Sequence, residues 1–103
     1  MENKIQKEAN ILIFNNIPIP SKQNNKNIDD TIMHVRLFEP YSGWEWYLSE
    51  YDPKTKMAFG YVKGAFNEWG YVYIPTLETQ NVERDLYFKP LTFKNLKISL
   101  NKR

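Results

Sequence analysis

The chain contains no cysteine, a single histidine and four glycines in 103 residues. The absence of cysteine excludes disulfides, thiolate metal sites and a cysteine nucleophile. With only His34 available, a metal site would depend on carboxylates, and no carboxylate spacing in the sequence indicates one. The glycines form neither a phosphate-binding loop nor the elbow of a serine hydrolase. We therefore predict no metal, no cofactor and no enzymatic activity.

Long hydrophobic runs are also absent. The apolar run Ile11-Leu12-Ile13-Phe14 near the N-terminus is far shorter than the roughly 20 residues that cross a bilayer, and too short for a signal-peptide core. The lack of membrane segments and of cysteine favours a soluble, cytoplasmic protein. The length predicts a single domain, residues 1–103.

Charge is distributed unevenly along the chain. From Glu39 to Asp85 there are eight acidic and four basic residues, whereas residues 86–103 carry five basic residues and no acid. A basic tail can bind phosphate or an acidic partner, or can simply keep a small domain soluble. The acidic central region repels phosphate, so it favours a protein partner over nucleic acid.

Alternating apolar and polar residues predict strands in the central part of the chain. The alternating segments are 31–38 (TIMHVRLF), 44–51 (WEWYLSEY), 57–63 (MAFGYVK) and 71–74 (YVYI), and a fifth strand is predicted from Arg84 to Phe88. Residues 52–55 (DPKT) favour a turn that Asp52 caps, and residues 64–70 favour a loop. The small residues Ala58 and Gly60 predict a close contact on their face of the sheet.

Short helices are predicted outside the strands. Pro75-Thr76 can begin a helical turn capped by Thr76, and Thr92 can cap a helix in the tail, although KISL (residues 97–100) also alternates like a strand. Residues 2–14 can form a helix or turn, and residues 15–30 predict an irregular connection. The predicted fold class is α+β: a small antiparallel β-meander of four to five strands with short helical segments at the termini.

The sequences WEWYLSEYDPKTKMAFGYV, WGYVYIPTLE and VERDLYFKP carry a family resemblance. They resemble a family of small bacterial proteins known only as a domain of unknown function, with a Trp-x-Trp-Tyr strand and a Glu-Arg-Asp-Leu-Tyr-Phe-Lys-Pro signature. The resemblance covers a β core at residues 31–92, with residues 1–30 matching poorly and residues 93–103 forming a basic tail. It implies a protein carried by plasmids, phages and conjugative elements, and so a role in the contest between mobile DNA and its bacterial host, including that of an anti-CRISPR protein.

The charged residues at the start of VERDLYFKP predict a structural ion pair. On a strand, Arg84 would share a face with Leu86 and Phe88, and a buried guanidinium without a carboxylate is costly. Glu50 shares its face with two tryptophans on a neighbouring strand, so we predict an Arg84–Glu50 pair, with Glu83 or Asp85 as substitutes.

The aromatic residues exceed what a core of this size needs, so either terminal segments cover them or they bind a partner. For the second alternative we expect contact through six residues, Trp44, Glu45, Trp46, Tyr47, Glu68 and Trp69. The predicted function is a non-enzymatic inhibitor that occludes the nucleic-acid groove of a host defence protein, either a CRISPR effector or a restriction nuclease. The alternative is a nucleic-acid-binding accessory protein that uses the basic tail, and a small hydrolase with paired carboxylates is a third hypothesis.

Overall fold

The computed structural model describes Ile17 and residues 27–103. A five-stranded antiparallel sheet has the strand order β5-β4-β3-β2-β6, and β1 and β7 form a separate two-stranded sheet. The strands are β1 (Ile32–Met33), β2 (Val35–Phe38), β3 (Glu45–Asp52), β4 (Met57–Lys63), β5 (Asn67–Tyr73), β6 (Glu83–Arg84) and β7 (Leu91–Thr92). The helices are a 3-10 turn (Ile28–Asp30), α1 (Ile74–Glu78) and α2 (Phe93–Asn101). The fold is therefore α+β, as predicted, and α1 lies inside the chain rather than at a terminus.

Hydrophobic residues cover both faces of the large sheet. On the first face, which we call the α1 face, Val35, Leu37, Trp46 and Leu48 pack with Ile74 and Leu77 of α1 and with Ile17. On the opposite face, the α2 face, Met33 and Tyr47 pack with Phe93 and Leu96 of α2. The short β1–β7 ladder directs the chain into α2, because β7 ends at the residue that caps this helix.

The predicted strand 31–38 is interrupted. β1 and β2 are separated at His34, whose backbone N–H donates to the Leu48 carbonyl at 2.8 Å. Met33 consequently packs on the α2 face while Val35 and Leu37 pack on the α1 face. The uninterrupted alternation predicted for residues 31–38 would place these three side chains on one face, and it is wrong because the interruption at His34 changes the alternation.

The predictions for the β4–β5 hairpin are confirmed in part. β4 spans Met57–Lys63, as predicted, but residues 67–70, which were predicted as loop, belong to β5. The close contact predicted near Gly60 is present, because a Cβ at this position would lie 2.0 Å from the Tyr47 carbonyl oxygen. Asp52 caps the β3–β4 turn by accepting a hydrogen bond from the Lys54 N–H at 2.9 Å.

One helix prediction is confirmed and another is corrected. Thr92 caps α2, since its hydroxyl accepts a hydrogen bond from the Asn95 N–H at 3.2 Å. Thr76 does not cap α1: the N-cap position is Tyr73, which makes no side-chain capping bond, and Pro75 lies in the first turn. The helix begins earlier than predicted because proline is favoured at the first helical positions. The helix predicted at residues 2–14 and most of the connection at 15–30 lie outside the described residues.

Candidate functional site

The six residues predicted to contact a partner do not form one surface. Trp46 and Tyr47 are 7% and 1% exposed and face opposite sides of the sheet, and Glu45 is also buried. Trp69 is half-buried against Phe93, with ring centroids 4.8 Å apart. Glu68 and Trp44 are exposed, with Trp44 tilted against Trp46 at a centroid distance of 6.0 Å. The buried residues are not accessible to a partner, because both faces of the sheet are covered.

Glu45 is instead the buried centre of an ionic cluster on the α2 face, whose basic members are partly exposed. Its carboxylate accepts hydrogen bonds from Arg36 Nε at 3.0 Å, from Arg103 Nη1 at 2.6 Å and Nη2 at 3.1 Å, and from the Tyr47 hydroxyl. Lys63 Nζ lies 4.0 Å away. Arg36 also reaches Asp85, with Nη1 3.2 Å from Oδ2. The cluster thereby joins β2, β3, the segment after β6 and the end of α2.

The surroundings of Glu45 control its ionisation. Burial alone would raise the pKa of this carboxyl group, but the hydrogen bonds from Arg103, Tyr47 and Arg36 outweigh burial and lower the pKa to about 2. Burial and the hydrogen bond to Glu45 raise the pKa of the Tyr47 hydroxyl. Glu45 is therefore ionised at neutral pH and is poorly suited to donate a proton. Within residues 27–103 and Ile17, no group of three or more histidine, aspartate or glutamate side chains could hold a metal ion.

The predicted Arg84–Glu50 ion pair is not formed. A register shift between Leu48 and Glu50 changes the alternation of β3, so Glu50 lies opposite Phe59, whose ring stacks on Trp69 on the α2 face. Arg84 lies opposite Leu37 and so points to the α1 face, where it takes part in other contacts. Asp85, predicted as a substitute partner for Arg84, pairs with Arg36.

The strand predicted from Arg84 to Phe88 ends at Arg84, and a tight turn follows it. The Asp85 N–H donates to the Arg36 carbonyl at 2.9 Å, and the Asp85 carboxylate accepts from the Tyr87 N–H at 3.0 Å. The Phe88 N–H donates to the Asp85 carbonyl at 3.3 Å. This pattern, in which an aspartate side chain bonds the backbone two residues later, stabilises turns rather than strands. We call residues 85–88 the Asp85 turn.

The Asp85 turn exposes two large apolar residues at its tip. Leu86 is 66% exposed and Tyr87 is 93% exposed, whereas Phe88 packs against Tyr47 with ring centroids 5.8 Å apart. Two charged residues of VERDLYFKP therefore have different positions. Arg84 is the last residue of β6, whereas Asp85 stabilises the turn and binds Arg36.

A groove of about 340 Å³ lies between the Asp85 turn and α2. Its walls combine polar and apolar side chains: Arg36, Tyr47, Asp85, Phe88, Leu91, Leu96, Ser99, Leu100 and Arg103. Both arginines are already paired with carboxylates of the fold, so the groove presents little net charge.

Arg36 and Arg103 belong to this cluster but were not among the predicted site residues. Arg36 alternates with buried Val35 and Leu37, and an arginine between core residues signals a charged cluster on the other face of the strand. No sequence signal connects Arg103 to Glu45, because the two residues are 58 positions apart.

A family model matches most of the chain. Residues 5–95 match the model of a family described as "Protein of unknown function (DUF2958)". The chain belongs to this DUF2958 family. The match begins at residue 5 and so includes much of the N-terminal segment that the sequence resemblance left poorly matched. No curated protein and no solved structure matches the chain. In the part of this DUF2958 protein that the structure describes, none of the helices has the length and apolar character to cross a membrane.

Proposed function

We propose that this protein acts without catalysis, by binding another protein through the Asp85 turn. The observation that carries this proposal is a contrast within the turn. Asp85 is held by Arg36 and by backbone hydrogen bonds, and Phe88 packs on Tyr47, yet Leu86 and Tyr87 between them are exposed. Because the backbone that carries the exposed side chains is held in one conformation, binding would cost less backbone entropy.

The chemistry of the turn suggests what the partner offers. Tyrosine is enriched among the residues that dominate binding energy in protein interfaces, where it fills a desolvated pocket. Tyr87 would enter an apolar pocket with a polar group for its hydroxyl, and Leu86 would cover the rim. Charge adds little at the turn itself, because Asp85 is paired with Arg36 and the exposed residues Glu83 and Lys89 carry opposite charges on either side of it.

For the target we propose a host defence nuclease, either a CRISPR effector or a restriction enzyme, whose nucleic-acid groove the protein occludes. The support is the resemblance to proteins carried by mobile elements, together with the excess of acidic residues from Glu39 to Asp85, where there are eight acids and four bases. Glu45 contributes little to this surface, because it is buried and paired with arginines. The proposed contact surface is therefore the Asp85 turn and not the six residues that the sequence predicted.

A cleavage assay with purified nucleases tests the proposal. CRISPR effector complexes and restriction enzymes would cut labelled DNA with and without an excess of the protein. We expect inhibition of at least one nuclease, and a loss of about tenfold or more in inhibitory potency for the double variant Leu86→Ser/Tyr87→Ser. Phe66→Ser is the matched control, because Phe66 is 81% exposed in the β4–β5 turn. Equal inhibition by the double variant and by the control would contradict a role for the Asp85 turn.

The nucleic-acid alternative has weaker support because the fold uses part of the basic tail. Lys97 lies 2.8 Å from Asp29, and Arg103 binds Glu45. A pull-down from the lysate of a host with defence systems, repeated after nuclease treatment, separates the two functions. If all retained proteins are lost on treatment and DNA binding weakens steeply with salt, nucleic acid is the ligand and the protein-binding proposal is wrong.

A further inference from the structure

Strand β5 is a long edge of the five-stranded sheet. Among the described strands it pairs with β4 alone, and its seven residues keep one register without a shift. Proteins usually protect such edges with short strands, proline, lysine or a bulge. β5 contains neither proline nor lysine, whereas the opposite edge, β6, has only two residues. Within the described part of the chain, no residue bonds the outer backbone N–H and C=O groups of β5, so these groups are the ones that a further strand would pair with.

We propose that β5 pairs with β5 of a second copy of this chain, antiparallel and two-fold symmetric about Gly70. Gly70 is the midpoint of Asn67–Tyr73, so this register is the one that pairs all seven residues of the strand. Across the axis Gly70 faces its own counterpart, Trp69 faces the counterpart of Tyr71, and Asn67 faces the counterpart of Tyr73. Two five-stranded sheets become one continuous sheet with an isologous interface.

The side chains of β5 suit this self-pairing. Tyr71 is 70% exposed and already contacts the Phe59 ring, with centroids 5.0 Å apart, so a facing Trp69 would extend this row of rings. Aromatic cross-strand pairs stabilise antiparallel sheets. The single charged residue of the strand, Glu68, faces the counterpart of Val72, so the register opposes no like charges. A Cβ at Gly70 would meet no atom within 4 Å, so the side chain of Gly70→Cys has room.

The proposed interface is independent of the Asp85 turn. β5 and β6 are the two opposite edges of the sheet, and the turn follows β6. Target binding through the turn and self-association through β5 are therefore independent proposals. Either one can be contradicted by its own experiment while the other holds.

Single cysteines test the register, because the natural chain has none. In an antiparallel pair, directly opposed Cα atoms lie about 4.5–5.5 Å apart, which a disulfide can bridge. We expect Gly70→Cys to form a disulfide-linked dimer under mild oxidation. Tyr73→Cys is the matched control: its counterpart would lie about 20 Å away along the strand, so it should not cross-link by itself. A mixture of Asn67→Cys and Tyr73→Cys should cross-link, because these positions face each other.

Light scattering at increasing protein concentration measures the association itself. We expect the average mass of the unmodified chain to rise toward that of a dimer, and Tyr71→Lys to shift this rise to at least about tenfold higher concentration. Tyr41→Lys, at an exposed aromatic residue in the β2–β3 loop, should leave it unchanged. A constant monomer mass, or a dimer in which Gly70→Cys cross-links no faster than Tyr73→Cys, would overturn the proposal.

Discussion

At the scale of single residues, Glu45 is the charged group with the largest expected effect on stability. It is buried, and two arginines from distant parts of the chain, Arg36 and Arg103, bind its carboxylate. Glu45→Gln removes the negative charge and leaves both guanidinium groups without their main partner. We expect the free energy of unfolding, measured by urea denaturation, to fall by about 2–3 kcal/mol. Glu68→Gln, at an exposed acid of β5, should change it by less than about 0.5 kcal/mol.

The low pKa of Glu45 predicts how the free energy of unfolding depends on pH. Its folded pKa of about 2 lies below the ordinary value of 4.5, so the ionised group stabilises the fold above about pH 4.5. This contribution, up to about 3 kcal/mol, is lost as the pH falls from 4.5 toward 2. Urea midpoints measured between pH 6 and pH 2 should therefore fall less steeply for Glu45→Gln than for the unmodified chain. Parallel curves would show that Glu45 is not the group responsible.

Substitution by alanine should have opposite effects on stability at two glycines that pair across β4 and β5. Gly60 and Gly70 face each other on β4 and β5, but a Cβ at Gly60 would lie 2.0 Å from a backbone oxygen of β3, and one at Gly70 meets nothing within 4 Å. Gly60→Ala must displace the β3 backbone beside its register shift, so we expect a loss of about 3 kcal/mol or more in unfolding free energy. Gly70→Ala should be neutral or slightly stabilising, because alanine is less flexible than glycine in the unfolded chain. Thermal denaturation of both variants checks the contrast.

At the scale of secondary-structure elements, the two helices differ in how they begin. The Thr92 hydroxyl bonds the Asn95 N–H at the start of α2, whereas exposed Thr76 lies inside the first turn of α1 and makes no capping bond. Thr92→Ala should lower the unfolding free energy by about 1 kcal/mol, because it leaves an N–H group of α2 without a partner. Thr76→Ala should have a much smaller effect. Equal losses in urea denaturation would contradict the assignment of Thr92 as the cap.

The same elements show what sequence patterns can predict. β4 and α2 could be predicted because regular alternation and a capping threonine are local signals. The register shift near Leu48, the interruption at His34 and the turn at Asp85 could not, because each depends on hydrogen bonds to a neighbouring strand. The first two of these features move later side chains to the other face. The predicted Arg84–Glu50 pair failed for this reason.

At the scale of the whole molecule, the aromatic residues that suggested a docking face have two different locations. Trp46 and Tyr47 are buried because α1 and Ile17 cover one face of the sheet and α2 covers the other. From the sequence, the aromatic residues could either be covered by terminal segments or bind a partner. The sequence could not decide between these two alternatives, because coverage depends on packing between distant parts of the chain. The exposed aromatic residues remain at the edges and turns, including Tyr71 on β5 and Tyr87 in the Asp85 turn.

The proposed dimer places the two Asp85 turns far apart. Each β6 lies four strands beyond β5, so a ten-stranded sheet with a spacing of about 4.8 Å separates the two β6 strands by about 43 Å. A spin label at Tyr87→Cys, which would be the sole cysteine, reports this separation by pulsed electron paramagnetic resonance. We expect a distance of roughly 40 Å or more at concentrations where light scattering detects a dimer. A distance below roughly 25 Å would place the turns on the same side and exclude pairing through β5. Turns held this far apart would engage two targets, or two sites on a large one, so association through β5 would strengthen binding by avidity without a new contact at either turn.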